Sequence, residues 1–401
     1  MTSGFKTVAS GTITSPQGFL AGAVKAGIKS QKGLDLGVLY SEVPCAAAGV
    51  FTANAIKAAP VILSQRHLHG RSARAIVVNS GCANACTGDS GVADAEEMAS
   101  LVAEKLGLSL EDVLVASTGV IGVSLPMERV RASIPQIRIT RDGGHELAAA
   151  MMTTDTFAKE IAVFVGAEPG GFTIGGVAKG AGMIHPNMAT MLCFLATDAA
   201  VDADFLQLAL QEAVDASSNM ITIDGDTSPS DMAVILANGL AGNEVINDSN
   251  GGAFHKALGE VCLYLAKCIA RDGEGATKLI EVTIDGALME TEARLAARTI
   301  AGSPLVKAAI HGSDPNWGRI VAALGRSGAQ VIETKLDLYL NNVCVMRQGN
   351  PVPFDKKKLR ISLAGKEVFL RLHLNLGEDR ATAWGCDLSE EYVTINSAYT
   401  T

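Results

Sequence analysis

The stretch Val368-Phe-Leu370-Arg-Leu372-His-Leu374 puts an aliphatic side chain at every second position. Successive side chains of a strand point to opposite faces, so a period of two describes a strand with one covered face. Leu336-Asp-Leu338-Tyr-Leu340 repeats the pattern earlier in the chain. One-sided burial favours antiparallel or mixed sheets over a purely parallel stack covered on both faces. Towards the N-terminus the signal changes. Ala75 to Val78 and Val113 to Ala116 are short apolar runs that read as buried strands. Each runs into a small-residue turn, Asn79-Ser80-Gly81 and Ser117-Thr118-Gly119. Between them Ala95, Met98, Ala99, Val102 and Leu106 fall on one helical face, with Gly107 at the C-cap position. A second helix starts at the N-cap Asp202, and a third carries Leu258, Val261, Cys262, Leu265 and Ile269 before Asp272-Gly273. The expected fold is α+β: mixed or antiparallel sheets packed on each other with outer helices, an αββα-like sandwich, plus a smaller C-terminal α/β lobe.

Composition narrows the function. Among 401 residues, 33 basic and 42 acidic side chains leave a net charge of −9, and aromatics are only 4%. Nucleic-acid binders normally show a basic patch with stacking rings, so that class is excluded. At 48% apolar and 19% charged the chain is far from the disordered class. Its apolar runs are too short to span a bilayer; Met188 to Ala196 ends at Asp198. The first 34 residues contain lysines but no acid or arginine, and lack the apolar core of a secretory signal. They read as mature, cytoplasmic protein. The eight cysteines show no CxxC or zinc spacing and read as reduced, buried small hydrophobes.

Chemistry concentrates in Gly175-Gly-Val-Ala-Lys179-Gly-Ala-Gly182-Met-Ile-His-Pro186-Asn-Met-Ala189-Thr190. Four glycines around one lysine, then Pro-Asn, interrupt a strand. Thr190-Met-Leu-Cys-Phe-Leu-Ala196 follows as a fully buried strand. A threonine therefore stands where a loop meets a core strand. Either it is simply a β-branched residue opening that strand, or its hydroxyl attacks the preceding carbonyl and cuts the chain. A freed Thr190 would carry nucleophile and base together, because an α-amine titrates near ~7.7–8.0. Ser117-Thr118-Gly119-Val-Ile-Gly122 is either an ordinary turn or a source of N–H and hydroxyl donors for an oxyanion.

Several patterns carry less. Gly88-Asp89-Ser90-Gly91 reads as a turn before the Ala95 helix. The glycines near Lys179 do not make a phosphate loop. Asp224-Gly-Asp226-Thr-Ser-Pro-Ser-Asp231 lacks EF-hand spacing and reads as an Asx-rich turn rather than a cation site. His67 and His69 have no H-E-x-x-H partner and read as surface residues, so no metal is expected.

Taken together, these blocks resemble the ornithine acetyltransferases (glutamate N-acetyltransferases) of arginine biosynthesis. The central match is Lys179-Gly-Ala-Gly-Met-Ile-His-Pro-Asn-Met-Ala-Thr190-Met-Leu. It is joined by Ser117-Thr-Gly-Val-Ile-Gly122, Val78-Asn-Ser-Gly81, Ala83-Asn-Ala-Cys-Thr-Gly88 and Phe51-Thr-Ala-Asn54. Thr222-Ile-Asp-Gly-Asp-Thr-Ser228, Arg271-Asp-Gly-Glu-Gly-Ala-Thr277, Asp314-Pro-Asn-Trp-Gly-Arg319 and Tyr392-Val-Thr-Ile-Asn396 follow in the family's order, from about residue 18 to the C-terminus. Cys82 stands where asparagine is more usual.

The resemblance implies self-cleavage between Ala189 and Thr190, giving chains 1–189 and 190–401, two of each in the assembly. It implies a ping-pong reaction in which N-acetylornithine acetylates Thr190 and glutamate then takes the acetyl group. Thr118 and Gly119 would stabilise the oxyanion. Thr153, Lys179, Thr190, Glu274, Asn396 and Thr401 would bind substrate, with Thr154 the neighbour that could replace Thr153. Both substrates are amino acids, and Lys179 and Glu274 offer one charge of each sign. No cofactor is needed; acetyl-CoA enters only as a possible second acetyl donor. The rival readings are an N-terminal-nucleophile amidohydrolase or aminopeptidase on the same scaffold, and a non-catalytic amino-acid-binding relative.

Overall fold

The two alternating stretches form the strands Asp337–Leu340 and Glu367–His373, paired antiparallel with Leu338 opposite Leu372. Their aliphatic positions are buried and Arg371 faces out, as one-sided burial requires. Glu367–His373 also pairs parallel with Leu279–Ala287, which pairs antiparallel with Asp379–Cys386. The result is a mixed seven-stranded C-terminal sheet. The helix Glu290–Ala301 covers it, packing Ala293, Ala297 and Ile300 against the same cluster as Val282 and Ile284. This computed structural model describes residues 4–29, 33–166, 170–185 and 191–398.

A nine-stranded sheet makes up the larger lobe among the described residues. Its pivot is the long strand Leu36–Phe51. The N-terminal half of that strand pairs with Ser72–Cys82, with Val38 opposite Val77. The C-terminal half pairs with Met232–Ala237, with Ala47 opposite Leu236. A register shift between Tyr40 and Cys45 separates the halves, and such irregularities bend a strand. The side chains show that the sheet doubles over there. Val177, Phe194 and Val234 from one half share a buried cluster with Leu39, Ile76 and Leu114 from the other. On the outer face of the first half, Cys193, Leu195 and Ile235 pack against Leu210 and Val261 of the helices Ala203–Ala216 and Gly252–Arg271. On the outer face of the second, Val38, Val77 and Val115 meet Met98 and Val102 of the helix Gly88–Leu106. Helix, sheet, sheet, helix is the layer order, the α+β sandwich that the sequence pattern suggests.

Both faces of Leu192–Thr197 are covered, which is why that strand reads as an unbroken apolar run. Truncating Phe194, which is fully buried, would cost about 3–5 kcal/mol. The helix starts obey local rules: Asp202 Oδ1 accepts from the Asp204 and Phe205 amides at 3.0 and 3.1 Å. Gly107 closes Gly88–Leu106 in the left-handed conformation, at φ +66°. Two local expectations are corrected. Gly88-Asp89-Ser90-Gly91 is the first turn of that helix, not a turn before it. His67 is buried, its Nδ1 2.8 Å from the Val113 carbonyl, whereas His69 is exposed. Of the cysteines, which are all free, Cys86 is exposed and Cys344 half-buried, and the other six are buried.

Residues on either side of position 190 share one sheet. Leu192–Thr197 lies between Phe172–Lys179 and Met232–Ala237. Segments 1–189 and 190–401 are thus interleaved rather than separate bodies.

Candidate active site

Three strands meet at one edge of the sandwich. Lys179, the last residue of Phe172–Lys179, lies opposite Leu192, and Leu192 lies opposite Met232. The row therefore sets Lys179 and Asp231 on either side of the strand that begins just after Thr190. From the other sheet layer Val113–Val120 contributes Thr118 and Gly119 at its end. A cavity of about 100 Å³ opens between them. Its walls carry Thr118, Gly119, Thr153, Lys179, Glu274 and Asn396, the described residues that the resemblance singles out. Thr154 lines it as well, so the choice between Thr153 and Thr154 stays open. Ala189, Thr190 and Thr401 lie outside the described residues.

Gly119 shows why this turn needs glycine. Its φ is +129°, and a Cβ there would sit 2.4 Å from the carbonyl carbon of Gly81. Strands Ser72–Cys82 and Val113–Val120 run in parallel, with Ser80 opposite Thr118, and shift register at Gly81 and Cys82. Buried side chains lock the turn: Ser117 Oγ donates to Asn79 Oδ1 at 2.6 Å, and Asn79 Nδ2 donates to the Cys82 carbonyl at 2.9 Å. The Thr118 hydroxyl is thereby carried on a rigid strand end, the kind of support a charge-stabilising donor needs.

Lys179 is buried, and the charge that balances it lies underneath. Asp155 Oδ2 is 4.0 Å from Lys179 Nζ and accepts from the Thr153 amide at 3.0 Å. Asp155 Oδ1 accepts from Lys159 Nζ at 2.6 Å and from the Gly180 amide at 2.7 Å. Lys159 Nζ also reaches Asp272 Oδ2 at 2.6 Å. Burial by itself would push the Asp155 carboxyl up, but Lys179 and Lys159 override it and hold it down to about 2. A single buried carboxylate thus fixes Thr153, Lys179 and the start of the glycine loop.

Glu274 supplies the opposite sign. The helix Gly252–Arg271 delivers it, and its amide donates to the Ala181 carbonyl at 2.8 Å. Its carboxylate lies against Gly182, where a Cβ would come within 2.6 Å of the carboxyl carbon. Asn396 Nδ2, on the last helix Glu390–Ala398, donates to Glu274 Oε2 at 2.7 Å. Lys179 and Glu274 therefore line one small cavity as a cation and an anion, a pattern that suits a zwitterion.

Asp231 is a site residue that the sequence reading missed. It lines the cavity with 3% exposure, and its Oδ2 has no hydrogen-bond partner among the described residues. Burial pushes its carboxyl well above the ordinary carboxylate range, and Lys179 pulls the other way. The usable signal was a carboxylate heading the otherwise apolar run Met232–Ala237. Asp224 of the same segment closes its own turn, its Oδ1 accepting from the Asp226 amide at 3.3 Å. Asp224 accepts from the Met183 and Ile184 amides at 2.6 and 2.9 Å, pinning the loop that leads to position 190.

Fold and cavity define an α+β protein of two mixed sheets with an amino-acid-sized, doubly charged site at the sandwich edge. The chain belongs to the ArgJ family, whose model matches residues 20–401. It is 54% identical over 405 residues to the arginine biosynthesis bifunctional protein ArgJ of Dehalococcoides mccartyi, covering 100% of both chains. It is 53% identical over 397 residues to the protein of the same name from Symbiobacterium thermophilum, covering 98% of this chain and 99% of that one. Among solved structures it resembles the Bacillus halodurans ArgJ crystal structure, with 44% identity and a TM-score of 0.50. That match covers 50% of this chain and 96% of the other.

Proposed function

We propose that this protein is an acetyltransferase that moves the acetyl group of N2-acetylornithine to glutamate through an acetyl-Thr190 ester, after cutting itself between Ala189 and Thr190. The observation that carries the reading is the single cavity joining Thr118, Gly119, Lys179 and Glu274 beside the strand that follows Thr190. Membership of the ArgJ family supports it, since relatives of full length carry names from arginine biosynthesis. The solved relative's chain spans only half of this one, a length in keeping with a cut product.

The chemistry divides among the residues as follows. The Thr190 hydroxyl attacks the acetamide carbonyl of acetylornithine while its own α-amine takes the hydroxyl proton. Charge develops on the carbonyl oxygen, where the Thr118 hydroxyl and the Gly119 N–H stabilise it. The C–N bond breaks, the proton passes to the departing amine, and ornithine leaves behind an acetyl ester. The glutamate amine then attacks that ester, and the threonine oxygen regains its proton. Lys179 holds the α-carboxylate of either amino acid in turn, and Glu274 holds the side-chain ammonium of acetylornithine. Thr153, Asn396 and Thr401 complete substrate binding, and the working assembly holds two copies of each chain.

The test follows the acetyl group. Protein incubated with labelled N-acetylornithine alone should gain one acetyl group on the 190–401 chain. Adding glutamate should release it as N-acetylglutamate faster than water releases acetate. Release as acetate alone would make the protein an amidohydrolase.

A further inference from the structure

Thr227-Ser-Pro-Ser-Asp231 runs straight into the apolar strand Met232–Ala237. The segment has no helix or strand of its own, so its main chain depends on outside partners. Phe51-Thr-Ala-Asn54 supplies most of them. Thr52 Oγ1 donates to the Ser228 carbonyl and Asn54 Nδ2 to the Thr227 carbonyl, both at 2.9 Å. The Thr52 amide donates to the Asp231 carbonyl at 3.0 Å, and the Ala58 amide to the Pro229 carbonyl at 3.0 Å. On the other side the Met232 amide donates to the Met191 carbonyl at 2.9 Å. Asp231 is therefore pinned beside the residue that follows Thr190.

Its side chain is left unsatisfied. Asp231 Oδ2 and the neighbouring Ser230 Oγ are both buried, both belong to the cavity wall, and neither has a hydrogen-bond partner among the described residues. Lys179 and Glu274 are the other charged side chains among the described lining residues, and Lys179 has Asp155 behind it at 4.0 Å. A buried carboxylate with an unbonded oxygen is costly, and protonation removes that cost. Burial accordingly pushes the Asp231 carboxyl up, while Lys179 and Ser228 pull the other way. The result is a neutral acid with a cation near enough to support its ionised form.

The reaction has a use for such a group. An amide nitrogen leaves as an ammonium only after gaining two protons, and the Thr190 hydroxyl provides one. We propose that Asp231 is a further catalytic residue, a proton reservoir that serves the departing and the incoming amine in turn, a role that rests on the acetyl-transfer reading. In the first half-reaction the Thr190 hydroxyl proton reaches the amide nitrogen as the C–N bond breaks, leaving a neutral amine. The Asp231 carboxyl gives that amine its second proton, so ornithine leaves as an ammonium and a carboxylate remains. In the second half-reaction the carboxylate takes one proton from the glutamate α-ammonium, and the neutral amine attacks the ester carbonyl. One of its two remaining protons returns to the threonine oxygen as the C–O bond breaks. The Asp231 carboxyl is restored, and no net proton enters or leaves. The carboxylate exists only while the acetyl-enzyme awaits a cationic amine, with Lys179 stabilising it meanwhile.

The test uses Asp231→Asn, isolated as the acetyl-enzyme and offered two nucleophiles. Deacetylation by glutamate at pH 7 should fall about 10²-fold, because solvent must now deprotonate the ammonium. That deficit should shrink about 10-fold per pH unit as the free amine becomes more abundant. Deacetylation by hydroxylamine should change less than about 3-fold, since hydroxylamine is neutral at pH 7 and has no proton to give up first. Equal losses with both nucleophiles, or a glutamate deficit that is the same at pH 7 and 8, would leave Asp231 a merely structural residue. Infrared difference spectra of the wild type need no variant and decide the matter should Asp231→Asn fail to fold or cut itself. Acetylation by acetylornithine labelled with carbon-13 in its acetyl carbonyl should convert one protonated carboxyl to a carboxylate, and an unchanged carboxyl band would overturn the proposal. Absence of any acetyl group on the 190–401 chain of the wild type would instead end the acetyl-transfer reading, and this role with it.

Discussion

Asn396 donates its side-chain N–H to Glu274 at 2.7 Å, joining residues 122 positions apart at the rim of one cavity. The contact ties the C-terminal helix to the loop after Gly252–Arg271, and a second bond from Ser389 Oγ to the Gly275 carbonyl at 2.6 Å reinforces it. Glu274→Gln keeps the shape and removes the charge. A hydrogen bond to a charged group contributes about 1.5–3 kcal/mol, so KM for acetylornithine should rise roughly 10–100-fold. Self-cleavage should proceed, since it uses no amino-acid ammonium. Steady-state kinetics with a denaturing gel of the same sample checks both outcomes.

Thr118 and Gly119 should fail in different ways. Thr118→Ala removes one donor from a rigid strand end and is expected to lower kcat about 10²–10³-fold with little change in KM. Gly119→Ala forces a Cβ against Gly81 and Cys82 backbone at 2.4–2.7 Å. That variant should lose thermal stability as well as activity. A raised KM with normal kcat in Thr118→Ala would instead mark an ordinary substrate contact.

The 41.5 kDa chain should run as two bands of roughly 20 and 22 kDa, in proportion to segments 1–189 and 190–401. Thr190→Ala should stay at full length and transfer no acetyl group. Mass spectrometry of both preparations decides whether the break falls between Ala189 and Thr190.

Asp155 carries a stability that depends on acid. Its folded pKa, about 2, lies below the ordinary 3.8, so its stabilisation is complete above pH ~4 and fades as pH falls towards 2. Asp155→Asn strands Lys179 in the interior, leaves Lys159 with Asp272 as its one carboxylate, and should cost about 3–5 kcal/mol at pH 7. The gap between wild type and variant in urea unfolding should narrow steadily below pH 4.

Asp231 has the opposite sign. Its folded pKa is raised, so the folded state holds a proton that the unfolded chain releases above pH ~4. Stability is therefore lost as pH rises through that window. Asp231→Asn mimics the neutral carboxyl and should be more stable than wild type at pH 8 but not at pH 4, as read by Tm at each pH. A variant less stable at pH 8 would mean that the carboxylate is ionised and paired in the fold.

Local rules carried much of the fold. Alternation at Leu336–Leu340 and Val368–Leu374 identified one-sided strands because side-chain period and burial are both local. Asp202 and Gly107 marked helix ends because capping satisfies nearby backbone groups. The family resemblance named Thr118, Gly119, Lys179, Glu274 and Asn396, which proved to line one cavity. His67 was misread because exposure depends on what packs over a helix, and here Val113–Val120 does.

The sequence by itself determined the α+β class, the main strands and helices, and the loop of small residues that surrounds Lys179. Tertiary structure alone decided that the nine-stranded sheet folds over along Leu36–Phe51, so that Thr118 from one layer faces Lys179 from the other. It alone set the charge states as well. Asp155 and Asp231 are both buried acids, yet the first meets two lysines and two amides, while the second has an oxygen with no hydrogen-bond partner among the described residues. Residue type specifies which charge is possible; the dielectric and the partners that fix its pKa arrive from segments far away in the chain.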